Sequence, residues 1–112
     1  SIRRYVPSIH KNPFPDLIIG DNDSTSCDTE FTKITKNELM KSGLQVNYNH
    51  PFKGGYLTRS KGNPSQHIHA IQLEMCKDLY MNHNETKYEE KKAAKIKKIL
   101  KNTFQHLIES LI

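Results

Sequence analysis

Apolar residues in three short stretches of the chain predict β-strands. Residues 16–21 are apolar through their middle and end in Gly-Asp, as a buried strand does. In residues 44–49 every second residue is apolar, which is typical of a strand with one buried face. Residues 67–74 end in the same alternation and form the third predicted strand.

Two further segments repeat apolar residues at three- and four-residue spacing, which predicts amphipathic helices. The first covers residues 28–42, with Asp28 or Thr29 as its N-cap and Gly43 placed to end it. Before the second, residues 86–89 read Thr-Lys-Tyr-Glu, the form of a capping box. The apolar stripe of this second helix predicts a packing face. It consists of Ile96, Ile99, Leu100, Phe104, Leu107, Ile108, Leu111 and Ile112.

The order strand, helix, strand, loop, strand, helix predicts an α/β fold. The predicted loop, residues 50–66, contains two prolines and three glycines. Loops of this length without structure of their own are usually functional. At 112 residues the chain is one domain at most, and its hydrophobic share of 35% favours part of a larger domain over a self-sufficient unit.

The net charge of +5 raises the question of nucleic-acid binding. Residues 86–112 hold seven lysines against three glutamates, whereas residues 1–85 hold ten Lys or Arg against nine Asp or Glu. The excess therefore lies on the last helix, where lysines on a solvated face explain it. We expect no nucleic-acid partner; steep salt dependence of binding would indicate one.

The sequence also bears on the compartment of the protein. No apolar run approaches the roughly 18–20 residues that span a bilayer, and no signal-peptide pattern opens the chain. Cys27 and Cys76 are far apart and have no ligand-spaced cysteine partner, so neither a disulfide framework nor a cysteine-type zinc site is expected. We expect a cytoplasmic protein without a membrane partner.

Three sequence stretches carry a resemblance to a known family. The first is Asp-Leu-Ile-Ile-Gly-Asp at 16–21, followed by Ser-Thr-Ser-Cys. The second is Asn-Tyr-Asn-His-Pro-Phe-Lys-Gly-Gly-Tyr-Leu-Thr-Arg at 47–59, and the third is Ile-His-Ala-Ile-Gln-Leu-Glu-Met at 68–75. In this order and spacing they resemble the N-formylglutamate amidohydrolase family.

The resemblance implies a zinc-carboxypeptidase-like (phosphorylase/hydrolase-like) α/β fold, in which helices flank a mixed sheet. It implies zinc-dependent hydrolysis of the amide of an N-acyl acidic amino acid: N-formylglutamate gives formate and glutamate, a reaction of histidine catabolism. Residues 1–112 would be the C-terminal portion of one such domain. Ser1-Ile2-Arg3 resembles the residues that follow a metal-binding histidine in the family's Asp-x-His-Ser motif. We therefore expect the zinc ligands upstream, no complete metal site in this chain, and no activity of this portion alone.

Glu74 is the predicted catalytic residue. It stands at the end of an apolar strand, and by resemblance it occupies the position of the general base of the zinc-carboxypeptidase fold. A carboxylate there takes a proton from water and passes it to the leaving nitrogen. The alternative is an ordinary strand-end glutamate paired with Lys77 or Arg59.

The predicted substrate-binding residues lie in the second stretch. Arg59 would grip a carboxylate of the dianionic substrate through two parallel hydrogen bonds, or it is a solvated loop arginine. Gly55 would let the backbone pass close to the substrate, although a plain tight turn is an equal alternative. Asn49 and Tyr56 are further hydrogen-bonding candidates.

His67 and His69 form a His-x-His pair that would share one face of a strand, a geometry that binds metals. The alternative for His69 is a half-buried, hydrogen-bonded histidine on the face of Ile71 and Leu73, opposite Glu74.

A second functional class is a non-catalytic ligand-binding or interaction module derived from the same family. Ligand affinity without turnover would indicate it.

If this portion is separated from the N-terminal half of its domain, faces that normally meet that half become exposed, and we expect the chain to self-associate. Sizing chromatography at increasing concentration tests this expectation. A sharp monomer peak at high concentration contradicts it.

Overall fold

Three strands form one mixed sheet in the computed structural model, which describes residues 1–111. They are β1 (Leu17–Gly20), β2 (Val46–Tyr48) and β3 (Gln72–Met75), in the order β2–β1–β3. The central strand β1 runs parallel to β2 and antiparallel to β3. The predicted α/β class and mixed sheet are confirmed.

Three helices accompany the sheet: α1 (Thr29–Lys41), α2 (Tyr56–Lys61) and α3 (Glu90–Ser110). Short 3-10 turns lie at Pro64–Gln66 and Lys77–Leu79. Helices α1 and α3 pack against each other and against one face of the sheet. None of the helices in residues 1–111 combines the length and apolar character needed to cross a membrane.

The ends of α1 follow the sequence prediction. Asp28 is its N-cap, and the Asp28 carboxylate accepts a hydrogen bond from the backbone N–H of Glu30 at 3.0 Å. After the helix, Gly43 has a φ of +83°, a left-handed conformation that glycine adopts without strain.

Alternate residues of β1 enter different apolar clusters on the two faces of the sheet. Leu17 and Ile19 pack with Leu39 of α1 on the face covered by the two long helices. Ile18 packs on the other face with Phe14 and Cys76. This burial on both faces explains why the strand is apolar at successive positions.

The apolar stripe of α3 is a packing face only in its first half. Ile96 is buried, and Ile99 and Leu100 pack against the sheet cluster, whereas all seven lysines of residues 86–112 are exposed. Farther along, Phe104 and Ile108 are each more than half exposed, and the predicted contact of Ile112 lies outside the described residues. This exposed apolar surface is consistent with self-association, which stays a prediction.

The predicted long loop at 50–66 is wrong in part, because residues 56–61 form α2. Gly54 and Gly55 end the preceding extended segment, and the residues up to Lys61 contain no helix breaker. The helix is anchored through its buried Thr58.

Two element boundaries were also predicted wrongly. The third strand begins at Gln72 and not at 67, because His67 has a left-handed φ of 59° in a turn closed by hydrogen bonds between Asn63 and Ile68. The predicted capping box at 86–89 does not form, since α3 begins at Glu90. The Asn82 side chain instead accepts the backbone N–H groups of residues 86 and 87 in a tight turn.

The N-terminal segment is tied to the edge of β3. Ile2 exchanges backbone hydrogen bonds with Met75 and Lys77, both at 2.8 Å. Arg4 then donates to both carboxylate oxygens of Asp78 at 2.8 and 2.9 Å and to Asp16 at 2.7 Å. The hydrogen bond to Asp78 raises the pKa of Arg4 further above its usual range, so the guanidinium is a permanent cross-link between segments far apart in sequence.

We predict that Arg4→Met lowers the free energy of unfolding by about 2–4 kcal/mol, because it leaves two partly buried carboxylates without their cation. Urea unfolding measures the change. The control is Lys11→Met, which removes an exposed cation without an ion pair in residues 1–111 and should change stability by less than about 0.5 kcal/mol. Equal effects of the two variants would contradict the cross-link.

Candidate active site

Strand β3 presents two chemically different faces. Leu73 and Met75 pack into the apolar cluster beneath the long helices. Gln72 and Glu74 alternate with them and line an open cleft on the opposite side of the sheet. The side chain predicted to be catalytic therefore lies away from the helical core.

The cleft lies between the start of the chain and the segment that leads into α2. It has a volume of about 410 Å³ and is lined by residues 1–2, residues 51–55, Gln72 and Glu74. Gly55, a predicted substrate-binding residue, thus lies at the same cleft as Glu74. Lys53, at the rim, forms an exposed ion pair of 2.7 Å with Asp23.

The Glu74 carboxylate is half-buried, with 24% of its side chain exposed. Its Oε1 atom is buried and receives no hydrogen bond from a side chain or backbone amide of residues 1–111. Oε1 instead forms an ion pair of 2.8 Å with the Ser1 amino group. Neither Lys77 nor Arg59, the partners of the alternative interpretation, forms an ion pair with Glu74 in the described part of the chain.

Residues 51–55 form one wall of the cleft, and the backbone of this wall packs against the end of β1. A Cβ atom on Gly20 would lie 2.6 Å from the carbonyl carbon and oxygen of Lys53, so only glycine permits this contact. The Lys53 carbonyl accepts the backbone N–H of Asn22 at 2.8 Å. The Gly-Asp ending of the first strand therefore places the cleft wall.

Asn49 forms its side-chain hydrogen bonds with Asp21, directly after β1. Its Nδ2 donates to Asp21 Oδ1 at 2.8 Å, and its Oδ1 accepts the backbone N–H of Asp21 at 3.0 Å. Both polar ends of the side chain are thereby used within the protein. The predicted substrate contact of Asn49 stays a prediction, and the geometry favours a role in holding the chain.

Asp21 is a fully buried carboxylate at the centre of this network. Besides Asn49 it accepts hydrogen bonds from Tyr48 at 2.6 Å, Thr32 at 2.9 Å and the backbone N–H of Ser24 at 2.8 Å. Burial by itself raises the pKa of Asp21, but the hydrogen bonds outweigh it and the net pKa is lowered. The bond to Ser24 caps the turn after β1, and the other three bonds join Asp21 to α1, to Tyr48 and to Asn49.

The other two predicted substrate contacts lie on α2. Tyr56 is 72% exposed. Arg59 is exposed and donates one hydrogen bond, at 3.2 Å, to the carbonyl of Gly54. No carboxylate of residues 1–111 forms an ion pair with Arg59. The helix thus carries a cation beside the cleft wall, although neither side chain lines the cleft itself.

Residues 1–111 hold no group of three or more His, Cys, Asp or Glu side chains able to bind a metal ion. His69 is half-buried, and its Nδ1 accepts the backbone N–H of Asp28 at 3.0 Å, as the non-metal alternative predicted. Both cysteines are buried, and burial raises the pKa of the Cys76 thiol to about 11. A thiol with this pKa is protonated at neutral pH and is a poor nucleophile.

The sequence analysis missed Gln72. Its Oε1 accepts the backbone N–H of Gly55 at 2.6 Å, so it joins β3 to the cleft wall. The signal was present in the alternation of residues 71–74, which places Gln72 on the same face as Glu74.

Comparisons with known proteins give a consistent result. The sequence profile described as "N-formylglutamate amidohydrolase" matches residues 1–81. The chain is 34% identical over 110 residues to the N-formylglutamate deformylase of Pseudomonas putida and 37% identical over 83 residues to that of Pseudomonas aeruginosa. It is also similar to the crystal structure of N-formylglutamate amidohydrolase from Ralstonia eutropha JMP134, with a TM-score of 0.82 and 25% identity.

These matches cover much of this chain and less of each relative. They include 96% and 73% of the chain for the two Pseudomonas proteins, but only 41% and 31% of those proteins. For the Ralstonia structure the shares are 97% of this chain and 40% of the other. The chain thus spans well under half the length of the relatives that it matches.

We predict that Asp21→Asn lowers the free energy of unfolding at pH 7 by about 2 kcal/mol, because an amide NH₂ would face groups that donate to the carboxylate. A carboxyl group whose pKa is lowered by folding contributes stability above its unfolded pKa of about 3.9, and this stability is lost as the pH falls through the folded pKa. The difference between wild type and variant should therefore shrink below about pH 4.

Urea unfolding at several pH values measures that difference. Asp23→Asn is the control, since Asp23 is an exposed partner of Lys53 and its loss should have little effect at any pH. A wild-type advantage that is equally large at pH 3 and pH 7 would contradict the assignment.

Proposed function

The chain belongs to the N-formylglutamate amidohydrolase family, and on that basis we propose that the protein containing it hydrolyses the amide bond of an N-acyl acidic amino acid, N-formylglutamate above all. The two Pseudomonas relatives are named as deformylases of this compound. Residues 1–112 would supply the C-terminal portion of the catalytic domain, in a zinc-carboxypeptidase-like fold.

The observation that carries the proposal is the environment of Glu74. Its carboxylate lines an open cleft, has no side-chain partner in the described residues and is paired only with the Ser1 amino group, so a water molecule or a substrate in the cleft can reach it. A structural glutamate at a strand end would be paired with a cation side chain or fully solvated. Glu74 has no cation side chain as a partner in residues 1–111, and its ion pair is with the main-chain amino group of Ser1.

Glu74 would act first as a base and then as an acid. It takes a proton from a water molecule as the water oxygen bonds to the formyl carbon, and it delivers that proton to the amide nitrogen as the carbon–nitrogen bond breaks. N-formylglutamate and water are thereby converted to formate and glutamate, with all atoms accounted for. A carboxylate in this role usually accelerates the reaction by about 100- to 10 000-fold.

Arg59 would bind a carboxylate of the substrate. Its guanidinium has a single hydrogen bond, to Gly54, and no ion pair within residues 1–111, so donors remain for a ligand. Its helix begins directly after Gly55 of the cleft wall. Tyr56 stays a proposed contact on the same helix.

Zinc is proposed for the protein that contains this chain and not for these residues alone. The donor set of residues 1–111 does not fit a complete site, since no three ligand side chains meet. The steps assigned to this chain therefore use only its own side chains. By resemblance a metal-binding histidine would directly precede Ser1, whose amino group forms an ion pair of 2.8 Å with Glu74.

The test is formate release from N-formylglutamate, measured on the protein that contains these residues, at full natural length and supplied with zinc. We expect Glu74→Gln to lower kcat by about 100-fold or more while the zinc content and the thermal unfolding temperature stay unchanged. The control, Glu109→Gln, alters an exposed glutamate at the end of α3 and should retain wild-type activity.

Full activity of Glu74→Gln would rule out its catalytic role. Binding of N-formylglutamate without formate release by the wild type would instead identify a non-catalytic binding module. Release of acid from a different N-acyl amino acid would keep the reaction class and change the substrate.

A further inference from the structure

Only one end of the Gln72 carboxamide forms a hydrogen bond within residues 1–111. Its Oε1 accepts the backbone N–H of Gly55 at 2.6 Å. Because a backbone N–H can only donate, this contact fixes which end of the carboxamide faces Gly55. Among residues 1–111 no acceptor is bonded to the Nε2 atom, so its two N–H donors remain for another group.

Gln72 lines the same cleft as the proposed general base. Gln72 and Glu74 are two residues apart on one face of β3. Two residues of a strand advance about 6.7 Å. The carboxamide head is held toward the cleft wall by Gly55, and a Cβ atom on Gly55 would approach the same Oε1 at 3.2 Å.

The Nε2 donors are accessible from the cleft, since Glu74 Oε1 is the one buried side-chain polar atom without a hydrogen bond in residues 1–111. Gln72 is half-buried, and the face of the sheet that it shares carries the apolar cluster of Phe14, Ile18 and Phe52. A polar group that is partly removed from water is stabilised when a partner accepts its hydrogen bonds. The cleft is therefore suited to a ligand that brings an acceptor oxygen to this point.

We infer that Gln72 is a specificity-determining residue whose Nε2 donates hydrogen bonds to a carboxylate of the substrate while Oε1 holds the cleft wall. This inference rests on the proposed function for the identity of the substrate. In an N-acyl amino acid the α-carboxylate is three bonds from the acyl carbon, about 4 Å away by standard bond lengths. A substrate whose acyl carbon lies beside Glu74 can therefore place a carboxylate within the spacing of about 6.7 Å that separates Glu74 from Gln72 along the strand.

The test variant is Gln72→Glu, which keeps an acceptor for the Gly55 N–H and removes the donors to the substrate. Its kcat/KM is compared with wild type for N-formylglutamate and for the two analogues in which one carboxylate is a carboxamide. We expect a loss of about tenfold or more with N-formylglutamate, and a much smaller loss with the analogue that lacks the contacted carboxylate.

An equal loss of kcat/KM with all three substrates would overturn the inference. It would show that the substitution disturbs the cleft wall or Glu74 and does not remove a contact to a substrate carboxylate. Gln66→Glu is the control for the added charge, since Gln66 is exposed on the turn before His67, and its kcat/KM should stay within about twofold of wild type. Thermal unfolding verifies that each variant is folded.

A binding measurement separates this inference from the proposed reaction. In protein labelled with ¹⁵N at its glutamines, the side-chain NH₂ signal of Gln72 is identified by its disappearance in Gln72→Glu. We expect that signal to shift on addition of N-formylglutamate, even if the protein releases no formate. An unchanged Gln72 signal at a ligand concentration that saturates other shifts would overturn the inference, whether or not the protein is active.

Discussion

The register of β3 against β1 is the constraint on which the site depends. Leu17 pairs with Met75, Ile18 with Glu74, and Gly20 with Gln72. A shift of one residue would move Glu74 and Gln72 into the apolar cluster under the helices and bring leucine and methionine to the cleft. Burying two uncompensated polar groups in that cluster is far less favourable than the observed pairing, so the core itself selects the position of the proposed base.

The opposite side of the cleft is built from the other end of β1. Gly20 leaves room for the Lys53 backbone, and buried Asp21 forms two hydrogen bonds with Asn49. These contacts fix the segment from Asn49 to Lys53 against the end of β1. Gln72 then joins that segment back to β3 through Gly55. The open cleft is thus bounded by contacts that begin on, or directly after, three neighbouring strands, which suits a site that must keep donors and a base in fixed positions.

Much of the fold was predictable because its signals are local. Successive apolar residues identified the central strand, and Asp28 and Gly43 marked the ends of α1, where capping depends on neighbours in sequence. The errors arose where distant residues decide the conformation. The turn that joins Asn63 to Ile68 shortens β3, and the Asn82 side chain takes the amides that the capping-box prediction assigned to the start of a helix.

The candidate site was predictable in part for the same reason. Family resemblance and the position at the end of an apolar strand both pointed to Glu74, and in the structure it lines a cleft with Gly55. Sequence alone gave no means to see that Asn49 is bonded to Asp21 or that Gln72 reaches Gly55, because these contacts span 28 and 17 residues. Arg4 was missed similarly, since its partner Asp78 is 74 residues away.

The most direct test of the account is a crystal structure of the Glu74→Gln variant of the protein that contains this chain, at full natural length, with N-formylglutamate bound. We expect the formyl carbon to lie within about 4 Å of the residue 74 side chain, close enough for a single water molecule to be shared between them. A substrate bound with its formyl group away from residue 74, or outside the cleft between residues 1–2 and 51–55, would contradict it.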